Sequence, residues 1–191
     1  MKDIFKLSAI LCLVTVIAAA ALSSVNSITK PKIEQQRALD AEKALTVAVP
    51  GAAKDAFVAV TRSEQILYYR AYSSNDKNNL IGYAVVASAD GYQSTIETMV
   101  GVDTSFVITG MQVYRQAETP GLGTKIIEVR EGETMPWFQN QFMGKTSDGL
   151  AVVQDDGDIV SIIGATISSR AVTNSIASTI DSLKIWVKEY K

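Results

Sequence analysis

The chain has no histidine and only one cysteine among its 191 residues. Without histidine it lacks the usual proton shuttle near neutral pH and the commonest metal ligand. Cys12 lies inside an apolar run, so neither a disulfide framework nor a thiolate metal site can be built by this chain alone. Any redox chemistry must therefore come from a bound organic cofactor or a partner. Lys and Arg total 18 against 20 Asp and Glu, and no basic stripe occurs, which speaks against a nucleic-acid surface. A Walker loop and a dinucleotide-binding glycine fingerprint are both absent. There is no internal repeat and no long low-complexity linker. What remains has the length for one membrane segment and one compact domain.

What is present begins at the N-terminus. Leu7 to Val25 carries no charge and is mostly Ala, Leu, Val and Ile. That length suits a bilayer-spanning helix, which needs roughly 20 residues. A cleaved signal peptide is the alternative, with Ala18 to Ala21 as small residues for a protease. The run is longer than a typical signal core, and a retained anchor is favoured. Lys2 and Lys6 precede the span, and Lys30, Lys32, Arg37 and Lys43 follow it. Counted alone, these charges put the following domain in the cytoplasm.

Thr29-Lys30-Pro31-Lys32 closes the membrane segment in this reading. Residues 32–48 read as a helix with Ile33, Ala38, Ala41 and Leu45 among polar neighbours. Pro50-Gly51 marks a break, and a short helical patch is expected over Ala52 to Val58. The expected organisation is an anchor over 1–30, a helical connector over 31–60 and a folded domain over 61–191. Strands are expected at Gln65–Tyr72, Ile81–Ala87, Gln93–Val100 and Phe106–Tyr114, with Asp90-Gly91 as a hairpin turn. Met135 to Met143 reads as a short helix entered through Pro136. Leu150–Val153 and Ile159–Ile163 read as two more strands around Asp155-Asp156-Gly157-Asp158. Val172, Ile176, Ile180, Leu183 and Val187 then recur at helical spacing in a C-terminal helix. Hairpins with helices at the ends define an α+β fold on a mainly antiparallel sheet.

Two segments carry the candidate chemistry. Gly164-Ala165-Thr166-Ile167-Ser168-Ser169 stands at the mouth of the C-terminal helix, with Ser168 and Ser169 as N-cap candidates. A helix N-terminus offers unpaired N–H groups and partial positive charge, which suit a phosphate. Gly164 and Ala165 leave room for close approach, and the Thr166 hydroxyl can carry a phosphate ester. The same residues also describe an ordinary loop-to-helix junction. The second segment is Glu118-Thr119-Pro120-Gly121-Leu122-Gly123, a loop able to pass close to a flat ligand, or simply a tight surface loop. Asp155, Asp156 and Asp158 lack the ligand spacing of a calcium loop and read as a solvated turn. Nothing local supports Glu97 and Glu118 as a hydrolytic pair. Tyr68, Tyr69, Tyr72, Tyr83 and Tyr92 read as sheet residues, one or two of which are free to contact a ring.

Together, the anchor leading into Ile28-Thr29-Lys30-Pro31-Lys32-Ile33, the Gly82-Tyr83-Ala84 strand, the Glu118–Gly123 loop and the terminal Gly164-Ala165-Thr166-Ile167-Ser168-Ser169-Arg170-Ala171-Val172 resemble the G subunit of the Rnf electron-transport complex. The C subunit of the sodium-translocating NADH:quinone reductase is the related alternative. The resemblance covers nearly the whole chain. It implies an FMN-binding domain, with FMN attached through its phosphate to Thr166 by a flavin transferase. It makes Gly164, Ala165, Ser168, Glu118, Thr119, Gly121, Leu122 and Gly123 cofactor-binding candidates. It also implies a single-pass cell-membrane protein with its domain on the extracytoplasmic side, opposite to the charge count. Its partners would be membrane lipid, the other Rnf subunits and the transferase, but no nucleic acid. The chain would be an electron carrier, not catalytic alone, in a complex coupling ferredoxin:NAD+ electron transfer to Na+ or H+ translocation. Two positions depart from the transferase motif: Val160 stands where an Asp is usual, and Ile163 where Ser or Thr is usual. The competing reading is a membrane-anchored ligand-binding or sensory domain without redox activity.

Overall fold

A computed structural model describes every residue except Met1, Lys54, Asn75, Asp76 and Lys191. The chain forms two units, residues 1–40 and 41–191. Helix α1 runs from Lys2 to Ala48 and includes a stretch long and apolar enough to cross a membrane. Ile10, Leu11, Val14 and Ile17 are all exposed along it, as expected of side chains meant for lipid. The helix expected over 32–48 is continuous with the apolar segment, because α1 passes through Pro31. Pro31 has no N–H to offer the Ser27 carbonyl, but Ser27 is exposed and solvent can take that role.

In the second unit, five strands form one antiparallel sheet in the order β1-β2-β3-β4-β5. They are β1 (Phe57–Arg62), β2 (Gln65–Tyr72), β3 (Leu80–Asp90), β4 (Thr95–Asp103) and β5 (Ile108–Arg115). Four of them match the strands read from the sequence. Of the helical patch expected over Ala52–Val58, the described residues before Phe57 form no helix, and Phe57 and Val58 open β1. Its backbone pairs with β2 from Phe57↔Ala71 to Arg62↔Gln65, a partnership that no local pattern announces. β3 and β4 pair in unbroken register from Gly82↔Asp103 to Asp90↔Thr95.

The sheet is covered on both faces. Helix α3 (Thr166–Glu189) lies on one, with Val172, Ile176, Ile180 and Leu183 fully buried beside Val85, Ile96, Val100 and Met111. Each such aliphatic side chain contributes about 1.5–3 kcal/mol on burial. On this side Tyr68 meets Tyr83 edge-on at 5.9 Å, and Tyr83 stacks on Phe106 at 5.8 Å. The end of α1 covers the other face, where Ala44, Leu45, Ala48 and Val49 pack on Ala71, Ala84 and Met99. That approach is close because Gly101 and Gly110, paired across β4 and β5, present no side chain to it. A Cβ at either would collide with the Ala48 carbonyl.

Between β5 and α3 the chain is less regular than expected. Helix α2 is only Trp137–Asn140, with Pro136 at its N-cap instead of inside its first turn. The two strands expected at 150–153 and 159–163 reduce to one parallel bridge, Val152↔Ile159. Leu150, Val152, Ile159 and Ile162 are buried in the α3-side core, and their apolar character reflects that packing. Within the acidic turn, Asp155 pairs with Arg170 at 2.6 Å and Asp158 with Lys145 at 3.2 Å.

Candidate functional site

The two segments singled out from the sequence meet at a single cleft of about 640 Å³. It is lined by Gly164, Ala165, Thr166, Ile167 and Ser168 from one segment, by Glu118, Thr119, Leu122 and Gly123 from the other, and by Tyr92. Gly121 does not line it. Its φ of +73° makes the turn of the loop, and its N–H donates to Thr124 Oγ1 at 3.0 Å. Tyr92 is a cleft residue outside both motif segments, and the one signal the sequence offers for it is an aromatic residue beside the Asp90-Gly91 turn. Ile167, inside the Gly164–Ser169 segment, is not among the candidates read from the sequence and is exposed at the cleft.

Thr166 is the first residue of α3, and the N-cap is Ala165, whose side chain makes no capping bond. The helix thus starts earlier than Ser168 and Ser169 suggested. Those two serines pin the helix start instead. Ser169 Oγ donates to the Ala165 carbonyl at 3.0 Å and accepts the Ile162 N–H at 3.0 Å. Ser168 Oγ donates to Glu118 Oε2 at 2.6 Å. Gly164, at φ +79°, turns the chain into the helix in a conformation that favours glycine. The Thr166 side chain is half-buried, and its hydroxyl has no hydrogen-bond partner among the described residues. Nor do the N–H groups of Thr166, Ile167 and Ser168 have a backbone acceptor. A free hydroxyl, unpaired donors and the positive end of a 24-residue helix therefore converge on the cleft.

Glu118 is 97% buried (3% exposed), yet it is charged. Burial raises its pKa, but hydrogen bonds from Ser168 and from the Gln93, Ser94 and Tyr92 N–H groups outweigh that and lower it to about 2. Its ordinary value is 4.5, so the carboxylate contributes stability that is fully present above about pH 4.5 and disappears as pH falls toward 2. Roughly 3 kcal/mol should be lost across that window. Denaturant titrations at both ends of the window should show the loss in the wild type and a smaller one in Glu118→Gln. Equal acid sensitivity in the two proteins would contradict this account. Glu97, the other carboxylate considered, is engaged with Arg115 at 2.7 Å.

A second cleft of about 590 Å³ is lined by the segment from Val160 to Ile163 that leads to Gly164. Lys125, Arg130 and Trp137 line it together with Val160 and Ile163. The Arg130 guanidinium sits 3.8 Å from the centre of the Trp137 ring. Gln141 holds the loop by accepting the Val160 N–H at 2.8 Å. Ile163 is 93% exposed, so the segment just before Thr166 is accessible from outside.

Comparison with known proteins agrees with this geometry. Residues 1–47 match the family model of the RnfG N-terminal region, and residues 91–181 match that of the FMN-binding domain. The G subunit of the ion-translocating oxidoreductase complex of Methanosarcina acetivorans is 32% identical over 188 residues, spanning 94% of each chain. The chain belongs to the RnfG family. The G subunit of the Na(+)-translocating ferredoxin:NAD(+) oxidoreductase complex of Acetobacterium woodii is 29% identical, over 94% of this chain and 91% of that one. A crystal structure of NqrC from Shewanella oneidensis covers 74% of this chain and 73% of that one at 19% identity, with a TM-score of 0.45. The FMN-binding match meets the cleft at both its walls: residues 91–181 include Tyr92, the Glu118 loop and the start of α3.

Proposed function

We propose that this RnfG-family chain is the flavin-carrying, electron-transferring subunit of a membrane complex, holding FMN covalently as a phosphoester of Thr166. The observation that carries the reading is the free Thr166 hydroxyl at the N-terminus of α3, opening into the cleft. The residues present fit the group. A cleft of about 640 Å³ falls within the size range of small-molecule sites. The unpaired N–H groups of the first α3 turn suit a phosphate diester, and Leu122, Ile167 and Tyr92 offer apolar surface to a ring system.

FMN supplies one- and two-electron chemistry when bound. Thr166 keeps it from dissociating. The first turn of α3 offsets the negative charge of its phosphate, and the apolar cleft walls limit access of water. Membrane lipid surrounds the apolar part of α1, and the other Rnf subunits supply donor and acceptor. In this reading the complex couples ferredoxin:NAD+ electron transfer to Na+ or H+ movement, and the subunit alone does neither half-reaction. The domain faces the extracytoplasmic side. The lysines after the span do not oppose this, because long domains translocate largely regardless of charge. The flavin transferase reaches Thr166 past the exposed Ile163, where Val160 and Ile163 stand in place of the usual motif residues.

The test is the intact mass of the full chain purified from its native host. An increment of one FMN less one water is expected, with flavin fluorescence that survives denaturation. An unmodified, colourless chain would overturn the reading in favour of a ligand-binding or sensory domain.

A further inference from the structure

Five donors converge on the Glu118 carboxylate. Oε1 accepts the N–H groups of Gln93 and Ser94 at 3.0 and 2.9 Å and the Ser94 hydroxyl at 3.1 Å. Oε2 accepts the Tyr92 N–H at 3.0 Å and the Ser168 hydroxyl at 2.6 Å. A carboxylate has about four lone-pair sites, so this one has none left for a ligand. The surrounding backbone is shaped to admit it. A Cβ on Gly91 would lie 2.7 Å from Oε1, and one on Gly123 would lie 2.7 Å from Oε2 and 2.9 Å from Ser168 Oγ. Glycine at both positions is what lets the side chain enter.

The donors come from segments that make different parts of the cleft: the β3–β4 turn with Tyr92, and the first turn of α3 with Thr166. Glu118 itself belongs to the third part, the 116–124 loop. The turn and the loop have further ties, Ala117 N–H to Ser94 Oγ at 2.8 Å and Thr119 Oγ1 to Gln93 Oε1 at 3.1 Å. Among the described hydrogen bonds, Ser168 to Glu118 is the one that joins either of them to the first turn of α3.

We propose that Glu118 is a positioning residue, one carboxylate that locks the β3–β4 turn, the 116–124 loop and the start of α3 into a single wall and so sets where a group anchored at Thr166 lies. Its carboxylate acts on the cofactor through Tyr92, Leu122 and Thr166 and not by a hydrogen bond or proton exchange of its own. This rests on the flavin reading above. Glutamine is not a neutral replacement, because its Nε2 would point a donor at donors.

Two measurements on the full chain separate this proposal from that reading. The first is hydrogen exchange of peptides spanning residues 90–95, compared between Thr166→Ala and Thr166→Ala/Glu118→Gln, proteins that need no flavin. Loss of charge-assisted bonds should speed exchange there by about tenfold or more, and unchanged exchange would overturn the latch. The second is the visible circular dichroism and midpoint potential of the attached flavin in the wild type, Glu118→Gln and Ser168→Ala. Both signals should shift in both variants, because each frees the start of α3 from the rest of the wall. Ser168→Ala keeps the buried carboxylate and its backbone donors, so it carries the test if Glu118→Gln fails to fold. Altered exchange with unchanged flavin signals would leave Glu118 a merely structural residue and overturn the proposal. A wild-type chain without the FMN mass overturns the flavin reading, and the positioning role with it, whatever the exchange shows.

Discussion

Thr166→Ala protein from the native host is expected to carry no FMN mass increment at all, while Thr166→Ser keeps a measurable fraction. Alanine removes the only atom at this position able to form the ester, and serine restores it. The neighbouring hydroxyls cannot substitute: Ser168 and Ser169 are fully buried and committed to Glu118, Ala165 and Ile162. The fold should be indifferent to the change. The Thr166 hydroxyl has no partner to lose, and alanine is the better helix former at the start of α3. Unfolding of flavin-free Thr166→Ala should therefore lie within about 0.5 kcal/mol of flavin-free wild type. Intact mass with in-gel flavin fluorescence reads the first outcome, and denaturant titration the second. A retained increment in the alanine variant would place the ester elsewhere and sink the assignment to Thr166.

Gly101→Ala should be among the most damaging single-methyl changes in the domain. Its Cβ would overlap the Ala48 carbonyl and press on Val49 Cγ2 at 2.8 Å. Relief requires the end of α1 to lift from the sheet, exposing Ala44, Leu45 and Val49 and breaking the Thr109 Oγ1 bond to the Ala48 carbonyl, 3.1 Å long. Overpacking typically costs 1–3 kcal/mol, and about 3 kcal/mol or more is expected where the obstacle is backbone. Gly132→Ala is the control. It has φ +85° and open space around it, so only local strain of about 1 kcal/mol should appear. Equal stability of Gly101→Ala and wild type would refute the close-contact account of this face.

Residue pattern carried most of the architecture. α3 shows its buried stripe at three- and four-residue spacing, and the inner strands β3 and β4 read as apolar runs because α3 covers one face and the end of α1 the other. It failed where burial comes without sheet pairing. Val152 and Ile159 are core residues held by loops, and their apolar runs look like strands only until partners are sought. It failed in the opposite sense at β1, whose residues are half-buried or exposed and whose strand character depends on pairing with β2.

By itself the sequence determined the apolar N-terminal helix, the sheet-forming runs, the C-terminal helix and the two motif segments, because each is written in residues close together in the chain. Only the tertiary structure decided that those segments share one cleft, that Tyr92 lines it with them and that Glu118 ties them together. The donors to its carboxylate lie 24 to 26 residues before it and 50 residues after it. Spacing that wide leaves no local periodicity, and a glutamate in a glycine-rich loop looks the same whether it faces water or five hydrogen-bond donors. Folding the β3–β4 turn and α3 against that loop is what turns an ordinary carboxylate into a buried one that stays charged well below the usual carboxylate range.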